Sequence, residues 1–265
     1  MKKLSKSTFS SNDVFKAFKN SPYRSIKISS YFSSYQDVLE KYRNKQIIFV
    51  EIGVLNGGSL FMWREYFGPK ARIIGIDLNP IAKKWRKDGF KIYIGSQSDP
   101  IFWRKFFRQE GKVDIILDDG GHTNEQQIIT AHETIPNIKD GGLLIVEDVH
   151  TSYMTRFGNP SKMSFIEWCK GIINNINSRF PGIHNSDLPY KKFVYSIQFF
   201  ESIVCFEIDR SKSVDSFPLK NAGKVLESKD FKFKNTPLEK AVFKSRYRFW
   251  LYFRLQNLKL RKYFR

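Results

Sequence analysis

The segment LDDGGH, residues 117–122, and the segment GGLLIVEDVHTSY, residues 141–153, each join an apolar run to acidic side chains. Short apolar runs of this kind are typical of buried strands. A carboxylate at the edge of a core is costly unless it binds something, so two such strand ends in one domain indicate a site. Carboxylate oxygens with a nearby histidine suit a hard divalent cation and a general base.

Further apolar strand candidates precede these two segments, and the stretches between strands have the pattern of helices. Continuous apolar strands that alternate with helices predict a parallel sheet covered on both faces. Right-handed crossovers then give an α/β, Rossmann-like, doubly wound sheet with the strand order 3-2-1-4-5. The predicted strands are 47–52, 71–77, 90–95, 113–118 and 142–147, and helices outside them are predicted near 13–20, 36–43 and 164–178.

The segment KKFVYSIQFFESIVCFEID, residues 191–209, has two apolar runs on either side of Glu201-Ser202. This pattern predicts an antiparallel C-terminal hairpin at the edge of the mostly parallel sheet. We therefore expect three parts along the chain. They are a helical lead-in over residues 1–45, the sheet domain over residues 46–210, and a basic loop with an aromatic helix over residues 211–265.

The formal net charge of +19 suggests nucleic acid, but its distribution argues against that partner. Residues 46–151 hold 13 Lys and Arg against 14 Asp and Glu, whereas residues 1–45 hold 10 against 3 and residues 152–265 hold 22 against 9. The predicted core is therefore nearly neutral, and the excess positive charge belongs to the flanks. The two cysteines and the lack of a signal-peptide core or spanning apolar run predict a cytoplasmic protein.

The C-terminal tail from Lys240 to Arg265 holds nine Lys and Arg and no acidic residue, and aromatic residues are interleaved with them. This composition suits a helix that lies in a membrane interface, which would make the protein peripheral to the inner face of the membrane. It suits equally a helix docked on the sheet or on a second subunit. RNA binding through stacked aromatic rings is the least favoured of the three.

A glycine-containing turn follows the first predicted strand in EIGVLNGGS, residues 51–59, and opens a helix. Glycines let the backbone approach a ligand closely, and the helix N-terminus supplies free N–H groups. Asp77 ends the second strand, where an acidic side chain can accept both hydroxyls of a ribose. The third strand ends in the polar run 95–99, which contains Gln97 and Asp99 and could face an adenine. The pattern predicts a nucleoside cofactor, with a dinucleotide less favoured.

The ordered set of EIGVLNGGSL, GIDLNP, LDDGGHTNEQQ and GGLLIVEDVHTSY resembles the class I S-adenosylmethionine methyltransferases. Within them it is most similar to the metal-dependent macrolide-sugar and rhamnosyl O-methyltransferases and the related cephalosporin-hydroxylase-like group. The resemblance covers roughly residues 30–155 and, more weakly, the hairpin. It implies S-adenosylmethionine and Mg²⁺ or another hard divalent cation as cofactors, and O-methylation of a sugar hydroxyl on a glycan, glycolipid or glycosylated metabolite.

The resemblance also implies a role for individual residues. Asp119, Glu147 and Asp148 would hold the metal, and His122 would be the general base. The residues expected to contact the cofactor are Glu51, Gly53, Gly57, Ser59, Asp77, Gln97, Asp99 and Asp118.

Several alternatives stay open for these acidic residues and their neighbours. Asp118 or Asp119 could instead cap the helix that begins near Thr123. Successive strand residues point to opposite faces, so Glu147 and Asp148 can share one ion only if the chain turns between them. The secondary candidates for the site are His150, Tyr31, Tyr35 and Tyr153, for which packing is an equal or better explanation, and His132 is expected to pack or face solvent.

Two other functions compete with a sugar O-methyltransferase. A metal-independent or RNA-directed methyltransferase is favoured by the net charge and disfavoured by the neutral core. A non-catalytic protein that keeps the fold and binds membrane or nucleic acid is disfavoured by the intact set of acidic residues and histidine. A sugar-containing acceptor is the expected partner, and the oligomeric state is left open.

Overall fold

The computed structural model describes residues 11–157, 163–183 and 188–224. The chain divides into two compact units, Met1–Phe217 and Pro218–Arg265. All helices and strands of the described ranges lie in the first unit. The aromatic helix predicted at the end of the third part, residues 211–265, lies outside the described residues, and the predicted division at residues 45 and 210 stays a prediction.

The first unit is built on one seven-stranded sheet. Its strands are β1 (Ile48–Ile52), β2 (Arg72–Asp77), β3 (Lys91–Ile94), β4 (Val113–Asp118), β5 (Ile138–Val146), β6 (Val194–Phe200) and β7 (Ile203–Ile208). They are arranged in the order β3-β2-β1-β4-β5-β7-β6. β1 to β5 pair in parallel, and β7 and β6 continue the sheet antiparallel. The predicted mostly parallel sheet and its edge hairpin are confirmed.

The helices cover the sheet on both faces. They are α1 (Asp13–Asn20), α2 (Tyr31–Leu39), α3 (Gly58–Phe67), α4 (Pro100–Glu110), α5 (Asn124–Thr134) and α6 (Phe165–Asn177). Short 3₁₀ helices occur at Glu40–Tyr42, Pro80–Asp88, Ile135–Asn137, Val149–Tyr153 and Thr155–Phe157.

Alternation along the strands divides the core into two layers. In β5, Leu143 and Ile145 pack with side chains of α1, α2 and α3, whereas Leu144 and Val146 pack with side chains of α4, α5 and α6. Every one of these four residues is at most 3% exposed. Because both faces are covered, the strands can be apolar throughout, which explains the continuous apolar runs of the sequence.

The helix predicted near 36–43 is displaced in the structure. α2 begins at Tyr31, and residues 40–42 form a 3₁₀ turn. Tyr31, Tyr35, Val38 and Leu39 are buried, and their i, i+4, i+7, i+8 spacing is that of one helix face. The serines between them obscure this periodicity in the sequence, because serine is as typical of turns as of helices.

None of the helices in the described ranges combines the length and apolar character that are needed to span a bilayer.

Candidate active site

A cleft of about 540 Å³ opens at the carboxyl ends of the parallel strands. Its wall is formed by the turns that follow β1, β2, β3, β4 and β5, together with residues 24–27 from the segment between α1 and α2. Backbone hydrogen bonds hold three of these strand ends together, because Asp119 N donates to Ile52 O at 3.0 Å and Glu147 N donates to Asp118 O at 2.9 Å. The acidic strand ends therefore meet at one edge of the sheet, as predicted.

The turn after β1 is shaped by glycine and by Asp77. Gly53 has φ +91°, and a Cβ at this position would collide with the backbone carbonyl of Asp119. Asp77 Oδ2 accepts hydrogen bonds from Val54 N at 2.9 Å and Leu55 N at 3.0 Å. Asp77 Oδ1 also accepts from Asn79 N at 2.7 Å. A carboxylate has about four acceptor positions, so about one of them remains on Asp77 for a ligand in the cleft.

Glu51 lies beneath the turn, away from the cleft wall. It is fully buried, and its carboxylate accepts from Ser59 Oγ at 2.8 Å and Trp63 Nε1 at 3.1 Å. Ser59 itself lines the cleft, whereas Gly57 packs against the Trp85 ring instead. The predicted contacts of Glu51 and Gly57 with a cofactor stay predictions, and in the structure both residues support the turn from behind.

Gln97 joins the turns after β3 and β4. Its side-chain nitrogen donates to both oxygens of Asp118 at 2.9 and 3.0 Å, and its oxygen accepts from Gly121 N at 2.9 Å. Gln97 lines the cleft, but the Asp118 carboxylate is buried behind it. Burial raises the pKa of Asp118 to about 6 against the effect of these hydrogen bonds. Asp99 lies outside the wall and caps α4 by accepting from Ile101 N.

The alternative role of Asp118 and Asp119 as helix caps does not occur. Thr123 is the N-cap of α5, and it forms a capping box with Gln126. Asp119 is thereby left with its side chain toward the cleft.

Asp119, His122 and Asp148 form the acidic cluster of the cleft. One ligand atom from each lies within 4.8 Å of the other two. His122 Nε2 is 3.4 Å from Asp148 Oδ2 and 3.8 Å from Asp119 Oδ1. His122 Nδ1 has no hydrogen-bond partner among the described residues. The ring is therefore next to two carboxylates without a close hydrogen bond to either.

The backbone turns between Glu147 and Asp148, and this turn separates their side chains. Asp148 has φ +55° and ψ +32°, a left-handed conformation that aspartate tolerates better than most residues. Asp148 lines the cleft, whereas the Glu147 side chain is 1% exposed and does not reach the cleft wall. The turn thus aims the two neighbouring carboxylates at different surroundings.

Glu147 is held by two residues from the N-terminal part of the chain. Lys27 Nζ lies 2.9 Å from both carboxylate oxygens of Glu147 and 2.6 Å from Asp119 Oδ2. Tyr35 also donates to Glu147, and burial raises the pKa of Tyr35 well above its ordinary value, so it remains a donor. Burial opposes the charge on Lys27, but Asp119 and Glu147 outweigh it and hold the pKa of Lys27 above its ordinary value.

The Asp148 side chain is held in place through contacts that reach the turn of the edge hairpin. Tyr31 donates to Asp148 Oδ1, and its hydroxyl lies 3.0 Å from Ser202 Oγ in the turn between β6 and β7. His150 Nδ1 is 2.5 Å from Ser202 Oγ and 3.9 Å from Asp148 Oδ1. Tyr31 and His150 therefore support Asp148 from outside the cleft wall.

Two of the remaining sequence candidates lie apart from this cluster. His132 packs with Tyr190, and Tyr153 is 65% exposed.

Residues 50–149 match the family model described as a methyltransferase domain. This stretch of the chain is similar to a methyltransferase domain. It contains the turn after β1, the Asp119–His122–Asp148 cluster and Glu147, so the predicted cofactor and metal residues all fall within it.

Two curated relatives of the chain are named as O-methyltransferases, and the name of the second includes a rhamnosyl group. The chain is 33% identical over 158 residues to mycinamicin VI 2''-O-methyltransferase of Micromonospora griseorubida, which covers 56% of this chain and 38% of the relative. It is 30% identical over 172 residues to 8-demethyl-8-alpha-L-rhamnosyl tetracenomycin-C 2'-O-methyltransferase of Streptomyces olivaceus, which covers 61% of this chain and 43% of the relative. The chain thus spans about two fifths of the length of each.

A solved structure of the MycE methyltransferase from the mycinamycin biosynthetic pathway, in complex with Mg, SAH and mycinamycin VI, shares the fold. Its TM-score is 0.68 at 24% identity, with 76% of this chain and 55% of that chain covered. A second MycE structure, with Mg and SAH, has the same TM-score at 25% identity and covers 76% of this chain and 56% of that chain. The predicted fold class is confirmed.

The buried Glu51 makes the stability of the domain depend on pH. Burial is the main cause that raises the pKa of Glu51 from 4.5 to about 7. Between pH 4.5 and about 7, Glu51 is therefore protonated in the folded protein and ionised in the unfolded chain. The free energy of unfolding falls as the pH rises through this range. We expect Glu51→Gln to reduce the loss of unfolding free energy between pH 5 and 8 by roughly 1–3 kcal/mol.

Urea denaturation at pH 5 and pH 8 checks this expectation. Glu65→Gln is the matched control, because Glu65 lies exposed on α3, the helix that carries Ser59 and Trp63, the hydrogen-bond partners of Glu51. An equal loss of stability in Glu51→Gln and the wild type would show that Glu51 titrates in the folded protein as it does in the unfolded chain.

Proposed function

We propose that the chain is an O-methyltransferase that uses S-adenosylmethionine and a divalent cation to methylate a sugar hydroxyl. The acceptor would be a glycan, a glycolipid or a glycosylated metabolite. The observation that supports this most is that one cleft contains both the glycine turn with Asp77 and the cluster of Asp119, His122 and Asp148. The names of the curated relatives favour a sugar as the acceptor.

The cofactor would lie at the end of the cleft formed by β1, β2 and β3. Asp77, Gln97 and Ser59 line this end and offer polar side chains to a nucleoside. The protein needs only to bind the cofactor and to orient its methyl group toward the acceptor oxygen, because methyl transfer depends mainly on alignment.

The residues at the other end fit a hard divalent cation. Two carboxylates and an imidazole present ligand atoms within 4.8 Å of one another, and oxygen-rich sites of this kind suit Mg²⁺. Asp119 and Asp148 would hold the ion, with Glu147 as the third predicted ligand. When bound, the cation stabilises negative charge on the acceptor oxygen.

His122 would accept the proton of the acceptor hydroxyl. A sugar hydroxyl is a poor nucleophile until this proton leaves, and imidazole can take it near neutral pH. The carboxylates of Asp119 and Asp148 lie within 4 Å of Nε2 and would stabilise the imidazolium that results. A nitrogen that coordinates a metal cannot accept a proton at the same time, so this role assigns the ion to the carboxylates.

Metal-independent methyl transfer is the second candidate, and one observation favours it. The ammonium group of Lys27 already lies between Asp119 and Glu147 and compensates their charge. A cation supplied by the chain itself would make a divalent ion unnecessary for the integrity of the site.

The location of the protein stays a proposal that rests on the sequence. The nine Lys and Arg of residues 240–265, with their aromatic neighbours, support peripheral contact with an anionic membrane surface, where a glycolipid acceptor would be found.

Calorimetric titration with S-adenosylmethionine and with its demethylated product tests the proposed function. We expect both to bind, and Asp77→Ala to weaken binding at least tenfold, or about 1.4 kcal/mol, because the variant loses an acceptor and the support of the turn. Asp37→Ala, which removes an exposed carboxylate on α2, should bind like the wild type. No heat with either nucleoside, from protein that is demonstrably folded, would rule out a methyltransferase.

A further inference from the structure

The segment of residues 21–30 between α1 and α2, which we call the strap, reverses the usual pattern of burial. Ile26 is 72% exposed and Ile28 is 48% exposed, whereas the side chain of Lys27 between them is 1% exposed. Burying an ammonium group and exposing two isoleucines is unfavourable unless the ammonium has strong partners. The conformation of the strap around Lys27 therefore depends on what Lys27 binds.

The partners of Lys27 are two of the three predicted metal ligands. Its Nζ is within 2.9 Å of Asp119 Oδ2 and of both oxygens of Glu147. A bound Mg²⁺ would need carboxylate oxygens at about 2.0–2.1 Å. An ion on the same oxygen atoms would lie within about 5 Å of the ammonium group, and two positive charges at that distance in a buried site repel each other. The two cations therefore compete for Asp119 and Glu147.

The charges around Lys27 explain why some cation must be present. Asp119, Glu147 and the buried Glu51 all act on Lys27 electrostatically, and a carboxylate oxygen of Asp148 lies within 4.8 Å of one of Asp119. Removing one partner of a buried ion pair leaves the other charge uncompensated, which is strongly unfavourable. A divalent ion bound to these carboxylates would replace the positive charge of Lys27 and restore the balance of charge.

We propose that Lys27 is an exchangeable resident cation, which holds Asp119 and Glu147 until a divalent ion binds these carboxylates and releases Lys27 from the site. The proposal rests on the metal dependence in the proposed function. It assigns Lys27 a role in setting the affinity for the ion, because binding must displace the ammonium group. It also links the ion to the strap, since residues 24–27 form part of the cleft wall.

The strap is anchored apart from Lys27, so its release would be local. Ser21 Oγ donates to the carbonyl of Gly58 at 2.7 Å, and the Tyr23 ring packs against Trp85 at 4.6 Å between centroids. At the other end, Tyr31 N donates to the carbonyl of Ile28 at 3.0 Å and begins α2. The exchange therefore moves the part of the strap near Lys27 and leaves the core in place.

Amine labelling of the full-length wild-type protein, read by mass spectrometry, tests the exchange directly. We expect an acetylating reagent to modify Lys27 slowly without added ions and at least fivefold faster with saturating Mn²⁺. Lys105, which is exposed on α4, is the internal reference and should not change. If calorimetry shows that Mn²⁺ is bound while Lys27 stays protected, exchange is overturned and metal-dependent function is left standing.

Two variants test the competition through metal affinity. Lys27→Met removes the resident cation and should bind Mn²⁺ at least tenfold more tightly than the wild type. In this variant no ammonium group balances the charges of Asp119 and Glu147 before the ion binds. Lys27→Arg keeps the charge and should bind no more tightly than the wild type. Equal or weaker binding by Lys27→Met, with circular dichroism showing a folded protein, would overturn the proposal.

Failure of the exchange can be told apart from failure of the proposed function. If neither the wild type nor Lys27→Met binds Mn²⁺, both the exchange and the metal dependence are overturned, whereas titration with S-adenosylmethionine still reports on methyl transfer. If Lys27→Met does not fold, the labelling of the wild type decides the question alone.

Discussion

Replacing His122 by alanine is expected to lower the turnover number by roughly 10²–10⁴-fold, the usual contribution of a general base. This corresponds to about 3–5 kcal/mol of activation free energy. The affinities for cofactor and metal should change little, because the proposed role gives His122 neither of these tasks. The wild-type rate should rise with pH through an ionisation that the variant lacks, since only neutral imidazole accepts a proton.

Steady-state kinetics over a range of pH, together with calorimetry for both ligands, measure these effects. His132→Ala is the matched control, because His132 lies on α5, packs with Tyr190 and does not line the cleft. Its turnover should stay close to that of the wild type. A His122→Ala variant within fivefold of the wild type, with the same pH profile, would leave the cation as the main activator. A large loss of metal affinity would instead make His122 a ligand of the ion.

Removal of the divalent cation is expected to abolish turnover, and added Mg²⁺ should restore it. Metal stabilisation of a developing charge is worth several kcal/mol, so a loss of at least 10²-fold is expected. Asp119→Asn and Glu147→Gln should have the same effect as chelation without unfolding the protein, because each replaces a charged oxygen ligand by an amide.

Turnover in excess chelator, followed by titration with Mg²⁺, measures this dependence. Asp37→Asn removes an exposed carboxylate from α2 and should keep the full activity and metal response. Full activity of the wild type in excess chelator would show that Asp119, Glu147 and Asp148 have a structural role and do not act through a metal ion. It would also favour Lys27 as the permanent cation of the site and the metal-independent candidate.

The topology of the sheet could be predicted because each of its signals is local. Continuous apolar runs such as 113–118 mark strands that are buried on both faces, and the helical periods between them imply parallel crossovers. The strand order then brings the ends of β4 and β5 together without further information. The start of α2 was missed, since serines hide the helix face of Tyr31 and Tyr35 in the sequence.

The direction of individual carboxylates could not be predicted in the same way. Asp118 and Asp119 are neighbours in the sequence, yet Asp118 is buried beneath Gln97 and Asp119 lines the cleft. Glu147 and Asp148 are separated similarly by a left-handed backbone conformation at Asp148. Neighbouring residues of a strand point to opposite faces of the sheet, but the turn that follows the strand decides which side chain reaches the cleft.

By itself, the sequence determined the sheet, the edge hairpin and the edge at which the acidic strand ends meet, because hydrophobic periodicity and chain connectivity are enough for these. Only the tertiary structure placed Lys27 between Asp119 and Glu147, which lie 92 and 120 residues away along the chain. No pattern around Lys27 marks it in a chain that is rich in lysine. The folding of the strap over the cleft decides which carboxylates Lys27 binds. A buried ammonium group pairs with carboxylates that are near it in the folded structure, and their spacing in the sequence does not indicate the pair.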